Sequence, residues 1–188
     1  AGRTLFSRKG ATGSVDNAGD LNASLGGYIA LLAPEVRNTG VVVAQLGTVA
    51  LAAGDTFELK FDANNALSNV RVEPSTIKAL VENGKAIQAP GGLIILSSQA
   101  ANALQGGGII NNTGLLEASS LVNKGGRILL EGDYITLGSN STLDASGGTG
   151  GGEVLVGGDW QGKGNMHQAA SVTLESGATI NVSATKLG

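Results

Sequence analysis

The chain contains no cysteine, which excludes disulfide staples and thiolate metal sites. Aromatic residues are almost as scarce, limited to Phe6, Tyr28, Phe57, Phe61, Tyr134 and Trp160. A core without many rings must be narrow and regularly layered. Charge is low at 14%, with twelve Lys and Arg against fifteen Asp and Glu, and no basic block runs along the sequence. A nucleic-acid backbone needs clustered cations, so nucleic acid is not an expected partner. No apolar run reaches the ~20 residues of a membrane span, so membrane insertion is not expected either. The opening "AGRTLFSRKG" lacks the layout of a signal peptide, and the chain reads as a processed or excised piece of something longer.

What the chain does have is 31 glycines and a large stock of Ala, Val, Leu and Ile, arranged in repeats. "VDNAGDLNASLGGYIALLA" from Val15 aligns with "VRNTGVVVAQLGTVALAAG" from Val36. Val15 matches Val36, Asn17 matches Asn38, Gly19 matches Gly40, Ala23 matches Ala44, and Gly26 matches Gly47. One residue then drops out, and Ile29 and Leu31 fall opposite Val49 and Leu51. The pattern returns with Asn112, Gly114, Leu116, Ile128 and Leu130. It returns again with Ile135, Leu137 and Leu143, then Val154 and Val156, then Val172, Leu174, Ile180 and Val182.

Alternating apolar residues in runs of three to five mean short strands with one buried face. Their recurrence at a period of roughly 21 is the mark of a solenoid. The predicted fold is all-β, a parallel β-helix of roughly eight coils stacked ~4.8 Å apart. Inward side chains would stack on like residues one coil away, with Asn17, Asn38 and Asn112 as turn residues or an inward ladder. An antiparallel sandwich fits less well, because the glycines recur at matched repeat positions and not in two-residue hairpins.

Residues 59–87 interrupt the rhythm and are expected to form an insertion packed on the side of the solenoid. "LKF" and "NVRVE" read as two strands. "PSTIKALVENGK" reads as a short helix opened by Pro74, with Ile77, Leu80 and Val81 on one face and Asn83-Gly84 as its stop. The coil restarts with Ile87, Ala89 and Gly92, then Leu93 and Ile95 alternating inward, and Ala100 to Leu104 is read as another helical turn.

Sites are few. Trp160 in "GGDWQGKG" is the best ligand platform, with Lys163 and His167 beside it in sequence. One histidine without cysteine cannot build a zinc cluster, so no metal and no cofactor is expected. Glycoside hydrolysis needs two facing carboxylates, and Asp133 with Glu153 or Asp159 comes nearest in spacing. These lie beside corner glycines, where solvated turn carboxylates are expected. "GGTGGGEV" lacks the Gly-Lys-Ser/Thr ending of a phosphate loop. Arg8 and Lys9 form a small basic pair near the start.

"NTGVVVAQLGTVALAAGD", "LVENGKAIQAPGGLIIL", "INNTGLLEA" and "STLDASGGTGGGEVLVGGD" together resemble the shafts of bacterial two-partner-secretion exoproteins, the filamentous-haemagglutinin-like large adhesins. That resemblance implies a right-handed parallel β-helix and export through an outer-membrane transporter of the two-partner type. It implies a secreted or cell-surface location and a non-catalytic role in attachment, aggregation or biofilm, through a glycan, matrix or host-surface ligand. The chain lacks the Asn-Pro-type segments of the family's N-terminal transporter-recognition domain and matches the part just after it. The alternatives are a β-helical polysaccharide-degrading enzyme and a passive spacer carrying a distal binding domain.

Overall fold

The computed structural model describes residues 2–101 and 106–186. The chain opens with β1 (Arg3–Ser7), and β2 (Ser14–Asn17), β3 (Asp20–Asn22) and β4 (Tyr28–Ala33) make the first coil. The second is β5 (Glu35–Asn38), β6 (Val41–Val43) and β7 (Thr48–Ala53). After β8 (Thr56–Phe61) and β9 (Leu67–Glu73) leave the stack, β10 (Ala79–Asn83), β11 (Ala86–Gln88) and β12 (Leu93–Ser98) form the third. The fourth is β13 (Gly108–Asn112), β14 (Leu115–Glu117) and β15 (Arg127–Gly132). The fifth is β16 (Tyr134–Leu137), β17 (Thr142–Asp144) and β18 (Glu153–Val156), and β19 (Ser171–Leu174) with β20 (Thr179–Asn181) belongs to the sixth. Strands one coil apart pair in parallel, giving three flat faces of six, six and five strands. This is a right-handed parallel β-helix.

Six coils stand where the 21-residue period predicted about eight. The period lengthens along the chain. Successive ladder asparagines are 21, then 45, then 29 residues apart, because insertions and longer corners absorb the difference.

The register follows the matched repeats. Val15 lies on Val36, Asn17 on Asn38, and Ile29 and Leu31 on Val49 and Leu51. The one-residue drop falls earlier than the repeat suggested. Tyr28 pairs with Thr48, which sets Gly27, not Gly26, under Gly47. Inside the triangle, Val36, Val81, Ile110 and Ile135 stack along the first face, with Val42, Ile87, Leu116 and Leu143 along the second. All are fully buried or within 1% of it. No large ring is needed to fill so narrow a prism.

Residues 74–85 correct the predicted helix. Ala79–Asn83 is a strand, paired with β5 on one side and β13 on the other. Ile77, Leu80 and Val81 fit a helical face by spacing, but two neighbouring strands offer this backbone a full set of partners. Val81 points inward at 0% exposure, and Asn83 takes the ladder position on Asn38. The helical turn expected from Ala100 to Leu104 falls largely on residues 102–105, outside the described residues.

Outside the stack, the hairpin of β8 and β9 is joined by the N-terminal β1 in a three-stranded antiparallel sheet in the order β1-β8-β9. Its Phe57, Leu59, Leu67, Val70 and Val72 pack on Ala50, Ala52 and Ile95, which point outward from the third face. This reverses the expected inward alternation of Leu93 and Ile95. Ile94 and Leu96 face the solenoid core, and Ile95 faces the hairpin. β12 is apolar on both sides because both are covered, so a period of two could not choose between them.

Candidate functional site

The Trp160 region is a loop closed on itself between β18 and β19. Ala169 N–H donates to the Gly157 carbonyl at 2.8 Å, which joins the two ends. Within it, Gly162 N–H donates to Asp159 O at 2.9 Å and Lys163 N–H to Trp160 O at 3.2 Å. Gln168 Nε2 donates to Gly162 O at 2.9 Å. A methyl on Gly164 would sit 1.5 Å from Asp159 Oδ2, so the carboxylate is folded tightly against that backbone.

Two carboxylates on the neighbouring coil fasten the loop. His167 Nε2 donates to Asp133 Oδ1 at 2.6 Å, and its backbone N–H donates to Glu131 Oε1 at 3.0 Å. The same Glu131 oxygen accepts Gln99 Nε2 at 2.9 Å, while Asp133 Oδ2 accepts Gly108 N–H at 2.5 Å. Trp160 projects away from this fastening and is 77% exposed. Lys163 is also exposed and His167 is half-buried. The structure therefore brings His167 to Asp133 and Glu131, and leaves Trp160 and Lys163 on the outer surface of the loop. The sequence offered no sign of the fastening, because its partners lie 34 and 36 residues upstream.

Burial pushes the Glu131 carboxyl above the ordinary carboxylate range, and the charge of Asp159 adds to it, against the hydrogen bonds from His167 and Gln99. A carboxyl whose folded pKa is raised stabilises the fold when protonated and loses that contribution as pH rises through the raised value. Glu131→Gln is thus expected to melt higher than wild type near neutrality. Its advantage should shrink as pH falls toward the ordinary value of 4.5, measured by thermal unfolding across that window. An advantage that widens on acidification would reverse the assignment.

The carboxylate pairs weighed for hydrolysis are committed elsewhere. Glu153 pairs with Arg127 Nε at 2.6 Å, Asp133 holds His167, and Asp159 lies against Gly164. Among the described residues, no three His, Cys, Asp or Glu side chains are grouped to hold a metal ion. Arg8 is likewise occupied, with Nε donating to Asp55 Oδ1 at 2.5 Å and Nη2 to Thr76 Oγ1 at 2.8 Å.

No family model and no curated protein matches the chain. A solved structure does: the chain is similar to the crystal structure of the HMW1 secretion domain from Haemophilus influenzae. The TM-score is 0.68 at 26% sequence identity, over 96% of this chain and 54% of that one. The chain spans about half the length of that domain. The likeness agrees with the resemblance to haemagglutinin-like exoproteins. The likeness covers part of a secretion domain.

Proposed function

We propose that residues 1–188 are one segment of a longer two-partner exoprotein, a rigid non-catalytic shaft that supports attachment, aggregation or biofilm at the bacterial surface. The observation that carries this reading is the unbroken parallel stacking of six coils, together with its likeness to a secretion domain. Such a rod, on the order of 25–30 Å long at the spacing of paired strands, presents its first two faces to solvent and has its third partly covered by the β1-β8-β9 sheet. Its partner during export would be an outer-membrane transporter of the two-partner type, and its place the cell exterior. The occupied state of Asp133, Glu153 and Asp159 supports a role without turnover.

Adhesion of beads coated with the purified chain tests the proposal against its rivals. Coated beads are expected to attach to epithelial or bacterial cells, with no release of new sugar ends from polysaccharides. Attachment indistinguishable from uncoated beads would leave a passive spacer, and sustained polysaccharide cleavage would make the segment an enzyme.

A further inference from the structure

We propose that the loop 157–169 is a preformed saccharide-binding site, in which Trp160 is the stacking platform and His167 is a positioning residue that never touches the sugar. The inference rests on the extracellular, non-catalytic reading above and assigns a ligand class to one place on the shaft.

Three observations lead to it. A tryptophan 77% exposed is costly to leave in water, and among the described residues nothing covers it. The loop that carries it is not slack. Its ends are joined, its turn is bonded internally, and His167 pins it to Glu131 and Asp133 of the preceding coil. Gln161 holds a left-handed φ of 55°, a conformation that a non-glycine residue adopts only where its surroundings enforce it. A platform fixed in advance loses little entropy on binding.

The size and surroundings of the platform choose between ligand classes. A single indole ring offers an area far below the ~800 Å² per partner of a stable protein interface. No other large apolar side chain between residues 157 and 170 is exposed to extend it. Its exposed neighbours are Gln161, Lys163 and Asn165, which carry amide and ammonium groups suited to hydroxyls. A pyranose has this combination, with one C–H face to stack on the ring and hydroxyls around its edge. Asp159 and Lys163, on either side of Trp160 in sequence, carry opposite charges, which suits a neutral sugar better than an acidic one.

His167 serves differently from Trp160. Its ring is spent on Asp133 and its backbone on Glu131, so its contribution is to keep the loop closed.

Trp160 is the chain's one tryptophan, so its fluorescence reads the site without a label. Lactose, cellobiose and N,N′-diacetylchitobiose would be titrated into the folded chain, with calorimetry in parallel. Saturable change with at least one of them is expected. Trp160→Ala should lower affinity by about tenfold or more in the calorimeter while leaving the fold intact. His167→Ala should weaken binding and lower the anisotropy of Trp160 with little change in melting temperature, and His167→Gln, which keeps a donor, should restore both. No saturable response to any of the three sugars, or unchanged affinity in Trp160→Ala, overturns the proposal. Wild-type anisotropy in His167→Ala overturns the role given to His167. Beads that adhere while the titrations stay silent would sink the loop and spare the shaft, and the reverse result would do the opposite.

Discussion

Gly92→Ala is expected to cost at least ~3 kcal/mol, enough to lower the melting temperature by roughly 6–12 °C for a chain of this size. Gly92 sits at the corner leading into β12, directly on Gly47 of the coil before. A methyl there would lie 2.1 Å from the Gly47 carbonyl oxygen and 3.0 Å from its nitrogen. Both are backbone atoms, which cannot swing aside as a side-chain tip can. Moving the corner instead would stretch the Leu93 N–H to Gly47 O bond and the Arg127 N–H to Gly92 O bond, each 2.9 Å. The same contact recurs up the stack. A methyl on Gly47 would meet Gly27 O at 1.9 Å, and one on Gly126 would meet Gly92 O at 2.1 Å. Close approach, not a left-handed dihedral, is what requires glycine in this column. Gly13→Ala is the control, since a methyl there meets nothing within 4 Å, and its stability should change by less than ~0.5 kcal/mol. Circular dichroism through thermal unfolding separates the two. Equal melting temperatures for Gly92→Ala and wild type would refute the stacked corner.

Asn83→Ala should cost nearly as much, about 3–4 kcal/mol. Asn17 Nδ2 donates to Asn38 Oδ1 at 2.8 Å, Asn38 Nδ2 to Asn83 Oδ1 at 2.8 Å, and Asn83 Nδ2 to Asn112 Oδ1 at 2.7 Å. Asn38 and Asn112 also close their own corners by donating to Gly40 O and Gly114 O at 3.1 and 3.0 Å. Asn83 stands in the middle of this ladder at 1% exposure, so its loss orphans buried groups on both sides. Asn112→Leu should be milder, about 1–2 kcal/mol, because Leu137 already occupies the equivalent place one coil on. Asn17→Ala, at the half-exposed end, should be milder still. Guanidinium unfolding of the three variants gives the order directly. A ranking that puts Asn17 above Asn83 would contradict cooperative stacking.

The ladder also shows how far the sequence could be read. Asn17 and Asn38 were legible because nothing intervenes between the first two coils, and their partners Val15 and Val36 fell in the observed register. Asn83 was not, because the hairpin of β8 and β9 breaks the period and Asn-Gly imitates a helix stop. One rule was visible only with the structure. Two residues separate the strands after each ladder asparagine, as between Asn17 and Asp20 or Asn112 and Leu115. Four separate them after Leu137 and Leu174. The amide that bonds two residues ahead belongs to the tight corner, and leucine takes its place where the corner widens.

For the loop, residue type alone picked out Trp160, Lys163 and His167. What it could not supply was the fastening of His167, because Glu131 and Asp133 reach it only through coil stacking. A pairing that depends on three-dimensional register leaves no local trace in a sequence. The same limit explains β12, where Ile94 and Ile95 are equally apolar and only the hairpin decides which is outside.

The most direct test of the account is where this segment resides. An epitope inserted between Val122 and Asn123, in an exposed corner away from the core, would mark the full-length protein without disturbing a strand. Antibody binding to intact cells, and loss of the tag to added protease, should both depend on the outer-membrane transporter. A tag that stays inside the cell whether or not the transporter is made would contradict the reading of this chain as part of an exported surface shaft.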